Sequence, residues 1–265
     1  MEMIIVISLP LFKQVWLSNL KVLILVTLAL CVFITVMCNV FTPTTLNSLQ
    51  SAEGSLIGNI VGGVDSLVGF IGNSFFAIMA IIFPMLYSIF VGNKLMAEKV
   101  EQGTMAGLLA TPTKRITIVL TSALFFILSI ILMWLVVFIV GVVAANTFQP
   151  DALNVDAFAR LCIGCFLYHF VISSICFCTS TIFNTTQASL GIGGGISLFF
   201  FLVNLIMKLS NELDYLKYLT LNTLFDTTSL ISGEGYVENL IILLLMGIVL
   251  YAISIVIFPR KDLPL

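Results

Sequence analysis

Between Arg160 and Lys208 the chain runs for 47 residues without one Asp, Glu, Lys or Arg. A single helix of that length would measure about 70 Å at 1.5 Å per residue, more than twice the ~30 Å hydrocarbon thickness of a bilayer. The run must therefore fold back on itself. Its one polar cluster, Asn184-Thr185-Thr186-Gln187, supplies the break and divides it into spans near 161–183 and 188–207. Four further apolar stretches, at 22–41, 66–93, 116–145 and 239–258, bring the expected total to six transmembrane helices. Only 9% of the residues are charged and 60% are apolar, against about 25% charged in a soluble domain. These proportions exclude a water-soluble fold and predict an all-α integral membrane protein, with residues 1–265 forming one transmembrane domain. A formal charge of -2 provides no basic field for nucleic acid.

Six crossings place both termini on one side of the membrane. Eight basic residues fall on that side: Lys13, Lys21, Lys94, Lys99, Lys114, Arg115, Arg260 and Lys261. Only Arg160, Lys208 and Lys217 fall on the other. The positive-inside rule then predicts cytoplasmic termini. Twenty apolar residues exceed a typical signal-peptide core and no small-x-small site follows Phe41, so the first span is expected to be retained. Ahead of it, Leu9, Phe12, Trp16 and Leu20 recur at steps of three and four, with Lys13, Gln14 and Ser18 elsewhere on the wheel. This pattern suits an amphipathic helix lying in the inner interface, in which Phe12, Lys13 and Trp16 are the interfacial residues. A plain extension of the first span is the alternative. On the outer side, segments 42–65 and 146–160 are too short for a folded domain. Segment 209–238 carries Tyr215, Tyr218 and Tyr236 among leucines and reads as a hairpin or amphipathic helix dipping into the outer interface.

Intramembrane catalysis requires ionisable groups within the spans, and the only one of that kind is His169, which reads as a hydrogen-bonded packing residue. The chain has no H-E-x-x-H, no G-x-S-x-G and no G-x-x-x-x-G-K-[ST] loop, so nucleotide hydrolysis is expected on another polypeptide. All six cysteines lie in spans; Cys162 and Cys165, although spaced as C-x-x-C, read as small buried hydrophobes. The pair Gly191 and Gly195 has the G-x-x-x-G spacing of close helix approach. Pro84 falls mid-span, where it removes a backbone hydrogen bond.

The densest polar stretch is residues 94–115, KLMAEKVEQGTMAGLLATPTKR. The second helix is expected to continue to Glu101 and to break at Gly103. Met105, Leu108 and Leu109 then form an i, i+3, i+4 apolar face on a short helix that must cover itself against bilayer or partner. Thr111 suits an N-cap, with Pro112 at the first position of the third span.

This stretch, with Glu101-Gln102-Gly103-Thr104, then Leu108-Leu109, then Pro112-Thr113-Lys114-Arg115, resembles the E-x-G-T…L-L…P-x-x-R pattern that follows the second span of ABC-2 type transporter permeases. The six-span layout, the amphipathic N-terminal segment and the short basic tail extend the resemblance over nearly the whole chain. It implies an exporter half: two permease chains, as a homo- or heterodimer, with two separate ABC ATPase subunits that carry the ATP and Mg. This chain would itself bind no cofactor. It further implies that Glu98, Glu101, Gly103, Thr104, Met105, Leu108, Leu109, Pro112 and Arg115 belong to a coupling segment docking on the ATPase. The N-terminal helix would be a connecting helix. The cargo would be hydrophobic or amphipathic, such as a peptide, toxin or antimicrobial, moved across a bacterial cell membrane. The alternative is a non-transporting sensor or immunity scaffold that binds a peptide.

Overall fold

A charge-free run in hydrocarbon has no water to pair with its backbone, and a helix is the local way to satisfy every N–H and C=O. The computed structural model describes residues 7–41, 66–207 and 220–262, and no strand occurs among them. Residues 42–65 and 208–219, including Tyr215 and Tyr218, lie outside the described residues.

Eight helices follow in order: α1 (Leu9–Val40), α2 (Leu67–Glu101), α3 (Thr104–Leu109), α4 (Arg115–Phe148), α5 (Val155–Ile182), α6 (Thr186–Met207), α7 (Thr227–Ser232) and α8 (Val237–Arg260). All except α3 and α7 are long and apolar enough to cross a membrane. Most reach past the apolar runs that mark them; α4, at 34 residues, is about 50 Å long. Between α5 and α6 the chain turns at Phe183 and Thr185, both in extended conformation, so the fold-back falls at the Asn184 cluster.

α5 is the central helix. It packs against α2, α4 and α8, and 83% of its most apolar window is buried, against 22% for α1 and for α8. Its buried hydroxyls are satisfied without water. Ser174 donates to the Val171 carbonyl and Thr181 to that of Cys178. Ser173 and Tyr251 of α8 share a 2.8 Å hydrogen bond. His169, fully buried, sets Nδ1 2.7 Å from the Cys165 carbonyl oxygen and Nε2 3.1 Å from that of Ile81. Its ring stacks on Trp134, so it fastens α2 and α4 to α5.

The glycine contacts differ from the G-x-x-x-G expectation. A Cβ at Gly191 or Gly195 would meet open space. At Gly193 it would collide with Thr179 Oγ1, and at Gly194 it would lie 3.1 Å from Ile89. Gly191 and Gly195 share an exposed face turned away from the bundle, and the close contacts fall on Gly193 and Gly194, within a π turn at Leu190–Gly194. A second π turn, Phe75–Met79, lies in α2 ahead of Pro84. There the Ser88 hydroxyl donates 2.8 Å to the Pro84 carbonyl.

Beyond Thr220 the segment that precedes α8 folds back onto the bundle itself, where a hairpin or helix in the membrane interface was expected. Leu230 and Phe225 cover Gly164 of α5, and Ile231 covers Gly72 of α2. Asp226 caps α7, accepting from the backbone N–H and the hydroxyl of both Thr228 and Ser229. At the other end of α7, Arg160 donates to the carbonyls of Leu230 (2.8 Å) and Ile231 (3.0 Å). Its guanidinium also sits 5.8 Å from the Tyr236 ring centroid. Arg160 therefore has a structural task.

Two outcomes follow from this packing. Gly92→Val, whose Cβ would lie 2.9 Å from Cys176 Cβ and 3.3 Å from that residue's backbone carbon, should cost about 1–3 kcal/mol. Gly191→Ala should stay within about 0.5 kcal/mol; thermal unfolding in detergent distinguishes the two. Asp226→Ala should cost about 1 kcal/mol. Burial works to raise the Asp226 pKa, but the donors from Ser229 and Thr228 prevail and hold it below the ordinary value of 3.8. The contribution of Asp226 is thus full above that value and is lost as pH falls through the depressed one. The difference between wild type and variant should shrink in strong acid, as pH-dependent unfolding would read.

Candidate functional site

The polar stretch that follows the second span lies at the basic end of the bundle, where α1, α2 and α3 meet. α2 does not run into it unbroken: Met96 leaves helical geometry at φ -131°. The hydroxyl of Ser180 on α5 enters the gap, accepting from the Ala97 N–H (2.9 Å) and donating to the Asn93 carbonyl (3.2 Å). In a continuous helix those two groups would bond to each other. Ser180 therefore splices α2 where it leaves the apolar region. No motif marked it in the sequence, since a serine among α5's other hydroxyls carries no signal of its own.

α2 then ends at Glu101. Gly103 adopts φ +71° with open space around it, a left-handed turn suited to glycine, and starts α3. Thr104 Oγ1 donates back to the Lys99 carbonyl at 3.1 Å. Glu98 accepts from Gln102 Nε2 at 3.1 Å. Glu101 reaches across to accept from the Thr186 backbone N–H at 2.9 Å. A carboxylate there satisfies an N–H at the start of α6 and complements its dipole. Through Glu101 the segment grips α6, and through Ser180 it grips α5.

The apolar face is oriented differently from the expectation that it would cover itself against bilayer or partner. Met105 is fully buried and Leu108 and Leu109 are partly buried, all packed on the chain's own core. A short apolar stripe at the end of a bundle finds its own helices nearer than any second molecule. The side left exposed comprises Gln102, Thr104, Ala106, Gly107, Ala110 and Pro112. Thr111 is not an N-cap: with Thr113 it donates its hydroxyl back to the Leu108 carbonyl, ending α3. Pro112 disfavours helix at the residue before it, so α4 starts later, at Arg115, with Lys114 in the cap position.

Basic side chains tie this end together. Lys94 donates to the Ser18 carbonyl of α1 (3.1 Å), and Arg115 to that of Lys261 (2.9 Å). Lys261 donates to the Thr181 carbonyl at the end of α5 (3.0 Å); burial lowers its pKa from 10.5 to about 8. Residues 9–20 are the first turns of α1, with no break before the span. Their buried stripe is Leu11, Val15 and Asn19. Phe12 stacks on Trp16 at 5.8 Å, Trp16 meets the Phe125 ring of α4 edge-on at 5.6 Å, and Lys13 is exposed.

Six spans long and apolar enough to cross a membrane, buried polar groups that serve packing, and a polar cluster at one end define an integral membrane protein. A family model described as ABC-2 family transporter protein matches residues 16–263. The chain belongs to that family and is a permease subunit of an ABC transporter, a multi-pass membrane protein. No curated protein matches the sequence significantly.

The splice makes a specific demand. Ser180→Ala leaves the Ala97 N–H and the Asn93 carbonyl without their bridge and should cost about 1–3 kcal/mol. Ser174→Ala, which removes only a bond to its own helix, should stay within about 0.5 kcal/mol. Thermal unfolding of the two variants in parallel tests the assignment.

Proposed function

We propose that this chain is the membrane half of an ATP-driven exporter in a bacterial cell membrane. It works as a pair of permease chains with separate ATPase subunits that bind the ATP and Mg. Both termini and α3 lie in the cytoplasm, and the first turns of α1 lie at the inner interface. Supporting this are the eight-to-three division of basic residues between the two ends and the family's place in ABC transport.

The observation that carries the coupling role is the position of α3. Gly103 turns it off the end of α2, and Met105 anchors it from beneath. Its outer side of small and polar residues, Thr104, Ala106 and Gly107, is left free. The docking surface is therefore this outer side, with Glu98, Gln102 and Pro112 at its edges, and Met105, Leu108, Leu109 and Arg115 support it from within. ATPase closure pushes on α3. The push passes along α2 to the Ser180 splice and, through Glu101, to α6, and it reorients a cavity between the two permease chains. Span interiors free of Asp, Glu, Lys and Arg suit a hydrophobic or amphipathic cargo such as a peptide, toxin or antimicrobial better than a sugar or an ion.

Ala106→Arg, on the exposed side, should abolish co-purification of the ATPase subunit while leaving the permease's melting midpoint unchanged. Met105→Asp should instead lower that midpoint. Retention of wild-type ATPase affinity by Ala106→Arg contradicts the docking surface. In reconstituted vesicles, hydrolysis that never accumulates cargo identifies a sensor or immunity scaffold instead of an exporter.

A further inference from the structure

A cavity of about 200 Å³ lies between α1, α2 and α3. Its walls include Gln14, Ser18 and Asn19 from α1, Lys94 and Lys99 from α2, and Thr104 from α3. Lys94 spends one of its three ammonium protons on the Ser18 carbonyl. Lys99 donates to no group among the described residues, and neither lysine forms an ion pair with a described carboxylate. The two nearest acids in sequence are occupied elsewhere, Glu98 by Gln102 and Glu101 by the Thr186 N–H. Asn19 is only 3% exposed. Its amide NH₂ donates 2.8 Å to the Val15 carbonyl, and its Oδ1 has no partner. A buried polar atom without a partner is costly and calls for an occupant that supplies one.

The wall thus offers two ammonium groups with unspent donors beside one unspent acceptor. Two lysines that form no ion pair with a described carboxylate call for an anion, and an ammonium is a compact point-charge binder of phosphate oxygens. The free Asn19 Oδ1 calls for a hydroxyl donor on the same ligand. A zwitterionic choline headgroup fails on both grounds: its cation is repelled by the lysines and it carries no hydroxyl.

We propose that this cavity binds a phosphate group bearing a hydroxyl, its anionic oxygens on Lys94 and Lys99 and its hydroxyl on Asn19 Oδ1. The chemistry is shared by the glycerol-phosphate headgroup of an anionic lipid and by free hydrogen phosphate. Such an anion joins the first turns of α1 to α3 by bridging the helix between them, whether or not α3 also docks an ATPase.

The test uses the purified full-length chain, with native mass spectrometry against phosphatidylglycerol and phosphatidylcholine, and melting midpoints in inorganic phosphate. Wild type should retain phosphatidylglycerol over phosphatidylcholine. Lys99→Gln should weaken that retention by about tenfold, the loss expected for one charged hydrogen bond, and Lys99→Arg should restore it. Lys13→Gln, an exposed lysine outside the cavity, should change nothing. If the phosphate comes from solution, inorganic phosphate raises the midpoint of wild type in phosphatidylcholine but not that of Lys99→Gln. Should Lys99→Gln fail to fold, Lys94→Gln is read in the same way. Lysine-to-glutamine variants that match wild type in both assays overturn the proposal. So does an equal loss in Lys13→Gln, which would mark diffuse surface charge.

Discussion

Charge cannot be left unpaired in hydrocarbon, and the architecture depends on that exclusion. Asp, Glu, Lys and Arg are kept out of the spans' cores and collect at the two ends of the bundle, where they bind helices together. Arg160 closes the end of α7 at one face; at the other, Lys94 binds α1, Lys261 binds α5 and Glu101 binds α6. The cations mostly meet backbone carbonyls and the carboxylate meets a helix N-terminal N–H, the polarity that the helix dipole favours. Neutral polar groups inside the spans obey the same constraint with weaker partners. Ser174 and Thr181 turn to their own backbone, Ser173 finds Tyr251, and His169 lies between two carbonyls.

This arrangement gives the permease a mechanical character. α5 is held on several sides, by His169 against α2, by Tyr251 from α8 and by the segment that folds back ahead of α8. α2 is discontinuous and is bridged by a side chain from α5. α3 hangs from the end of α2 on a glycine. A displacement applied to α3 therefore meets a hinge at Gly103, a splice at Ser180 and a strut at Glu101 before it reaches the buried core.

The sequence makes the number of spans legible because charge avoidance is absolute enough to read by eye. It also shows the turn near Asn184, because a 47-residue apolar run must fold back. Gly103 was legible for a similar reason: few other residues tolerate its backbone angle. What stayed hidden depends on which neighbour is nearest. The Met105 stripe is the same apolar pattern whether it faces a partner or its own bundle. Gly191 and Gly195 have the right spacing for an α-helix, but the face they share is exposed and the bundle meets Gly193 and Gly194 instead. Thr111 caps backward instead of forward because Pro112 disfavours helix at Thr111 itself, and the chain bends there before α4 begins. The stripe of Leu11, Val15 and Asn19 carries less signal than the neighbouring aromatics Phe12 and Trp16.

Everything functional here rests on α3 facing the compartment that holds ATP. Single-cysteine labelling with a membrane-impermeant maleimide reads this directly, because the native cysteines are buried or nearly so. Ala106→Cys should label only after the cell membrane is permeabilised, whereas Glu234→Cys, beyond the opposite end of the bundle, should label on intact cells. Labelling of Ala106→Cys on intact cells, with Glu234→Cys protected, would invert the orientation and contradict the assignment of α3 to the ATPase.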